Sequence, residues 1–472
     1  MSITLSRKDI IWSYFAQFFS IASGIITLPL ILRMLSSEEI GMNYLMLTMG
    51  SLVSLFDFGF GPQFGRNITY IFSGTKELKK EGVNVTYESD EINYRLLATM
   101  IHTAKSVYRV LGLIVIVTML SLGSFYIYNI TNGFSNINNS LAIWIVYSIS
   151  TYFNIYYSYY TSLLTGKGLI MESRKAIVYS KLFYIILTFA FLYLGLGLFG
   201  VVLANLIAPF VNRYISNYYF FTKDIKEKIG HYIITKKEKI DLFNIIWHNA
   251  KKLGLVFLGS YAINKLSMFL AGLFLTLNEI ASYGLMIQLV GIIPALATTL
   301  FNAFQPKFAS LRVMNDNKQL IKLFSYSMNI FYILFIIGGL CLMIFGPWVL
   351  SIIKSNAILP PLSILFLYII VTLLENNHSL FATLITTNND IPFVFSALFT
   401  GGLIAVGSFI SLSFSNMGIL GLVIVQGLSQ LIYNNWKWPL TIFKEFNISF
   451  SDFICIGFTE TKTKLNSLIY GR

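Results

Sequence analysis

"IIWSYFAQFFSIASGIITLPLIL", Ile10 to Leu32, contains no charged residue, and Arg7, Lys8 and Arg33 flank it. A helix rises about 1.5 Å per residue, so a run of this length crosses the roughly 30 Å hydrocarbon core of a bilayer. It is too long for the apolar core of a signal peptide and has no small-residue cleavage site, so it reads as a first transmembrane helix. Similar runs recur to the other end of the 472-residue chain, which is 56% hydrophobic and 12% charged. Soluble domains carry about 25% charged residues. The expected fold class is all-α: a polytopic membrane protein.

About twelve spans follow from run length and flanking charge, near 10–33, 41–65, 107–129, 141–165, 176–195, 199–221, 253–276, 281–305, 324–346, 360–384, 391–413 and 418–438. The net charge of +13 could suggest nucleic acid, but its distribution suggests topology instead. Segments assigned to the inside hold 29 of the 34 Lys and Arg, and the outside loops hold only Arg33 and Lys354. By the positive-inside rule both termini then face the cytoplasm. Two inside loops are long. Residues 66–106 extend toward the third span, with Ser89 or Asp90 as an expected helix cap. Residues 223–252, with "KDIKEKIGHYIITKKEKI", separate the halves. These basic runs are either a solvated topology determinant or a contact for anionic lipid headgroups.

An internal repeat supports the division. "LSSEEIGMNYLMLTMG" from Leu35 and "LTLNEIASYGLMIQLV" from Leu275 align at an offset of 240, with Glu39-Ile40 on Glu279-Ile280 and Leu45-Met46 on Leu285-Met286. Six spans per half is an even number, so the repeats are expected to be parallel, related by a pseudo-twofold along the membrane normal. The expected organisation is a six-helix lobe at 1–222, a linker at 223–252, a second six-helix lobe at 253–440 and a cytoplasmic tail at 441–472.

Signatures of soluble enzymes are missing: no Walker loop, no H-E-x-x-H and no G-x-S-x-G. Cys341 and Cys455 lie far apart, and the four His form no cluster with them. No metal site, cofactor or enzymatic activity is therefore expected.

The ionisable residues inside spans are the functional candidates, because each costs about 2.5–3.5 kcal/mol at a helix centre on insertion scales. Asp57 lies in "LFDFGFGPQFGRN", Leu55 to Asn67, followed by Gly59, Gly61, Pro62, Gly65 and Arg66. The glycines and proline would loosen the backbone there, so the stretch reads as both a span end and a cavity wall. Lys265 falls in the middle of the seventh span beside Asn264, about 18 Å from Lys252 and beyond easy snorkelling. Glu375 and His378, in "LLENNHSL", share a helix face and either share a proton or form a structural hydrogen-bond cluster. Lys181 and Arg213 lie near a span end and are read as snorkelling. In "STYFNIYYSYYTS", Tyr152, Tyr156 and Tyr159 or Tyr160 follow the spacing of one helix face, suited either to sugar rings or to a packed seam.

The segment Gly24 to Asn67 resembles the O-antigen and polysaccharide flippases (Wzx type) of the multidrug/oligosaccharidyl-lipid/polysaccharide exporter superfamily. The residues that carry the resemblance are Leu28-Pro29, Arg33, Glu39-Ile40-Gly41 and Asp57-Phe58-Gly59. It implies translocation of an undecaprenyl-diphosphate-linked oligosaccharide across the bacterial inner membrane, between lobes that open alternately. It further implies contact with membrane lipids and with a polysaccharide polymerase and chain-length machinery. Arg33, Arg66 and Lys265 are the candidate diphosphate contacts, Tyr152 and Tyr156 the candidate sugar contacts, and Asp57, Glu375 and His378 the candidate ion- or proton-coupling residues. An ion-coupled multidrug antiporter of the same superfamily is the alternative. A membrane-bound glycosyltransferase or polymerase would call for a large loop or domain outside the membrane, and every outside loop here is short.

Overall fold

The computed structural model describes residues 7–72, 74–78, 92–313, 316–385 and 393–470. Among these every regular element is a helix. The chain packs as two units, Met1–Tyr261 and Ala262–Arg472.

Unit 1 begins with α1 (Arg7–Met34) and α2 (Ser37–Ser54). The Ser36 hydroxyl accepts from Glu39 N at 3.1 Å, and Glu39 Oε2 accepts from Ser36 N at 2.9 Å. This capping box satisfies two of the amides that start α2, each such cap being worth about 1 kcal/mol. The span ends in a short 3-10 turn, Leu55–Asp57, and resumes as α3 (Phe60–Phe72) after a 44° bend. The break lies at Phe58 (φ 46°) and Gly59 (φ 77°). The Phe58 ring seats directly on Gly254, where a side chain would strike it, and meets Trp247 at 6.0 Å.

α4 (Tyr94–Thr118) continues through a π-helical turn, Met119–Gly123, into α5 (Ser124–Ile130). Its cap is Asn93, whose Oδ1 accepts from Leu96 N at 3.0 Å. The expected caps Ser89 and Asp90 lie outside the described residues. α6 (Ser140–Tyr156) and α7 (Tyr159–Gly166) form one broken path. α8 (Ile170–Tyr193) and α9 (Gly197–Phe220) pack on each other, and α1 packs on α8. α10 (Lys223–Gly230) is short and lies against α4, and α11 (Lys236–Asn264) follows.

Lys265 interrupts the next span: its φ of −131° separates α11 from α12 (Leu266–Phe274), and the two helices bend by 49°. Unit 2 then contains α13 (Leu277–Ala297), α14 (Thr299–Val313), α15 (Asn317–Ile352), α16 (Leu362–Ile385), α17 (Val394–Phe414), α18 (Gly418–Leu431), α19 (Asn434–Phe446) and α20 (Phe450–Tyr470). α20 covers the segment read as a tail and docks on α15. Phe453 meets Phe324 at 5.4 Å and Phe381 at 5.6 Å, and Thr461 Oγ1 accepts from Asn329 Nδ2 at 2.9 Å.

Among the described residues eight single helices are long and apolar enough to span a membrane, or ten when each bent pair counts as one. The other two of the twelve expected spans correspond to α6 with α7 and α18 with α19. Breaks at Tyr157–Ser158 and Ile432–Tyr433 leave those pieces shorter.

The two units repeat local devices. Thr276 and Glu279 form a second capping box, 240 positions after Ser36 and Glu39. α9 and α18 each start at a left-handed glycine, Gly197 (φ 54°) and Gly418 (φ 52°), conformations a side chain would strain.

Candidate functional site

Asp57 stands at the bend between α2 and α3, half-buried. Its Oδ2 accepts from Gly61 N at 3.1 Å, and its Oδ1 accepts from the Tyr108 hydroxyl of α4 at 2.5 Å. The first bond satisfies an amide at the start of α3, and the second ties the bend to a neighbouring span. Tyr108 is fully buried, and its ring lies 5.9 Å from Phe64 and 6.2 Å from Tyr159.

Beside this carboxylate is a cavity of about 680 Å³, lined by α3, α4 and the α6–α7 path. From α3 come Gly61, Pro62, Gly65, Arg66 and Thr69, with Asp57 and Ser54 before them. Ser158, Thr161, Ser162 and Thr165 face them at i, i+3, i+4 and i+7, the spacing of one helix face. Glycines permit the close approach of the two walls. Ser162 Oγ donates to Gly61 O at 2.8 Å, and a Cβ on Gly166 would lie 2.7 Å from Gly65 O and 2.6 Å from Ile68 Cβ. The result is a cavity with one guanidinium, one carboxylate and a row of hydroxyls. A guanidinium gives a bidentate fork for phosphate oxygens, and hydroxyls donate to and accept from sugar hydroxyls.

The structure brings Asp57 and Arg66 to this one cavity. Arg33, exposed in the last turn of α1, does not line it. Tyr152 and Tyr156 stack at 6.0 Å with their planes 5° apart and pack on Gly112 of α4, which makes them part of the α4–α6 seam. Neither lines the cavity: Tyr156 meets Tyr159 at 6.5 Å, and Tyr159 in turn meets the cavity-lining Tyr108. Arg213 is only 8% exposed and does not snorkel. Its guanidinium lies 4.2 Å from the Phe210 ring centre and 4.5 Å from that of Tyr157, and Nη2 donates to Asn154 Oδ1 at 3.3 Å.

In unit 2, Lys265 is exposed at the break between α11 and α12 rather than inside a continuous helix. Glu375 Oε2 accepts from Gln426 Nε2 at 3.1 Å and Gln430 Nε2 at 3.3 Å, while Gln430 Oε1 is buried without a partner. His378 Nδ1 lies 2.7 Å from Asn435 Oδ1 and 3.1 Å from Leu374 O, two acceptors that call for a proton on Nδ1. Glu375 and His378 therefore engage separate partners on α18 and beyond it. Among the described residues no group of three or more His, Cys, Asp or Glu could hold a metal ion.

Sequence reasoning missed Tyr108 and the hydroxyl row. The row had a signal in the spacing of Ser158, Ser162 and Thr165. Tyr108 had none, being 51 residues from the carboxylate it binds.

No family model matches the chain, and no curated protein matches it. Solved structures do. An inward-facing multidrug-resistance MATE family transporter of the MOP superfamily aligns with a TM-score of 0.65 at 14% identity, over 92% of this chain and 95% of that one. The lipid II flippase MurJ, in an inward closed conformation, aligns with a TM-score of 0.63 at 14% identity, over 98% and 91%. An outward-facing MATE transporter gives 0.52 at 15% identity, over 94% and 95%. The chain thus has the fold of these multi-pass membrane transporters and flippases over nearly its whole length.

Proposed function

We propose that the chain is a flippase for a lipid-linked oligosaccharide, carrying an undecaprenyl-diphosphate-linked repeat unit from the cytoplasmic to the periplasmic leaflet of the bacterial inner membrane. The observation that carries this reading is the cavity beside α3, where Arg66 shares a wall with Ser158, Thr161, Ser162 and Thr165. A diphosphate needs a cation held in place as water is excluded, and the attached sugars need hydroxyl partners. Arg66 serves the first and the serine–threonine row the second. A likeness of fold to a lipid II flippase supports the same reading.

Coupling falls to Asp57 and to Glu375. Asp57 is a carboxylate on the cavity wall, and Glu375 is a carboxylate able to take a proton, held by Gln430, whose own Oε1 is an acceptor without a partner. His378, held by Asn435, is the third coupling candidate. Lys265, on a helix break, is the cation of unit 2 assigned to the diphosphate. The product is delivered to a polysaccharide polymerase and chain-length machinery, with both termini of the chain in the cytoplasm.

A second reading, an ion-coupled multidrug antiporter, is favoured by Asp57 itself, since a carboxylate in a cavity attracts cationic drugs. Purified protein in liposomes separates the two. The flippase reading expects a fluorescent polyprenyl-diphosphate oligosaccharide to cross the bilayer, with transport lost in Arg66→Ala. Ion-driven movement of a cationic dye that survives Arg66→Ala and is lost in Asp57→Asn, without movement of the lipid-linked sugar, overturns it.

A further inference from the structure

A second cavity in unit 1, about 540 Å³, lies between α4 and the first turns of α11. Phe60, Phe243 and Trp247 form its aromatic floor: Phe60 lies 5.9 Å from Phe243 and 5.6 Å from Trp247, and Phe243 and Trp247 stack with planes 11° apart. Val107, Val110 and Leu111 of α4 make the facing wall. Val110 is 56% exposed and Ile240 49%, so the trough opens to its surroundings. Lys236 and Lys239 stand at its rim on the same helix face as Phe243 and Trp247. From Lys236 to Trp247 α11 rises about 16 Å, half the thickness of the hydrocarbon core.

One polar group points to a ligand. Thr103 lines this cavity, is 2% exposed, and its hydroxyl has no hydrogen-bond partner. A buried donor left unmade costs about 1–3 kcal/mol. The nearby acid does not neutralise the lysines: Glu238 is engaged by the Thr235 N–H and hydroxyl, both at 2.8 Å, and by Arg95 at 2.9 Å. Those hydrogen bonds, Thr235 first and then Arg95, hold the Glu238 carboxyl below the usual range.

We propose that this trough is a binding site for an anionic phospholipid of the surrounding bilayer. An acyl chain lies on Phe60, Phe243 and Trp247, the phosphate meets Lys236 and Lys239, and the Thr103 hydroxyl donates to an ester oxygen. The charge match selects an anionic lipid over a zwitterionic one, and an apolar wall with exposed valine and isoleucine suits an acyl chain. The site is separate from the transport cavity and does not depend on what is transported.

The test uses the full chain in vesicles of phosphatidylglycerol or phosphatidylcholine with brominated acyl chains. Bromine quenches tryptophan on contact, and the contribution of Trp247 is the difference between wild type and Trp247→Phe. The expected result is quenching of Trp247 at about thirtyfold lower mole fraction of phosphatidylglycerol than of phosphatidylcholine, the factor that two lysines supply. Lys236→Ala with Lys239→Ala should remove that preference, and Thr103→Val should weaken it. Native mass spectrometry of wild type with the two lipids gives an independent reading, with phosphatidylglycerol retained preferentially. Equal quenching by both lipids overturns the proposal, as does a preference that survives loss of both lysines. Displacement of phosphatidylglycerol by equimolar polyprenyl phosphate also overturns it, because the trough would then belong to a different lipid.

Discussion

Removing the Tyr108 hydroxyl isolates the bond that fixes Asp57 at the cavity wall. In Tyr108→Phe the carboxylate keeps Gly61 N at 3.1 Å and loses the 2.5 Å hydroxyl. A hydrogen bond to a charged group is worth about 1.5–3 kcal/mol, and a neutral one about 0.5–1.5 kcal/mol. The substitution should therefore cost roughly 1.5–3 kcal/mol in the wild-type background and roughly 0.5–1.5 kcal/mol in Asp57→Asn. That leaves a coupling energy of about 1–1.5 kcal/mol between two residues in contact. At about 2–4 °C per kcal/mol for a unit of this size, the melting temperatures of the four proteins should depart from additivity by about 2–6 °C. The assay is thermal unfolding of detergent-purified protein, followed by the fraction that remains monodisperse. Equal losses in both backgrounds would refute the view that Tyr108 holds an ionised Asp57. Export should fall in Tyr108→Phe, since the carboxylate is then held at the cavity by Gly61 N alone.

Arg66→Ala should lower export of lipid-linked oligosaccharide about tenfold or more, the loss of a charge-assisted contact, while Arg66→Lys retains part of it. The readout is surface polymer per unit of inserted protein, and Arg33→Ala serves as a comparison outside the cavity. Lys265→Ala should reduce export much more than Lys181→Ala, and equal activities would remove Lys265 from the substrate path. Gly166→Val places a branched side chain where even a Cβ would lie 2.7 Å from Gly65 O. It should cost about 1–3 kcal/mol or more as α3 and α7 are forced apart, seen as a lower melting temperature. Single cysteines at Asn132 and Asn416 should react with an impermeant thiol reagent added outside, and one at Gly230 should not, which scoring by gel shift in intact cells checks directly.

The spans were legible because each one is a long apolar run whose flanks carry the charge. The repeat was legible at Glu39 and Glu279, since a cap is a local device that four residues encode. The bend after Asp57 was announced by Gly59, Gly61 and Pro62. The break at Lys265 was not: "SYAINKLSMF" holds no glycine or proline, so nothing local announces it. Arg213 misled for a related reason. Its depth near a span end suggested a chain reaching for water, yet rings from its own helix and from α6 enclose it. Glu375 and His378 shared the helix face that their spacing required. Their partners, Gln426, Gln430 and Asn435, come from residues more than 50 positions away, and no local pattern reports them.

Glu39 has a second carboxylate oxygen, and its use bears on how the chain is assembled. While Oε2 closes the cap of α2, Oε1 accepts from Leu198 N at 3.0 Å, at the first turn of α9 and 159 residues later. Translation at about 5–20 residues per second separates the two by roughly 8–30 s. Throughout that interval Glu39 Oε1 is without its Leu198 partner, until the sixth span of its unit arrives. Gly197, with φ of 54° and no side chain to strike Glu39, is what lets the late arrival dock. Glu39 is in this sense a latch thrown last, closed only when the first turn of α9 docks beside the cap of α2.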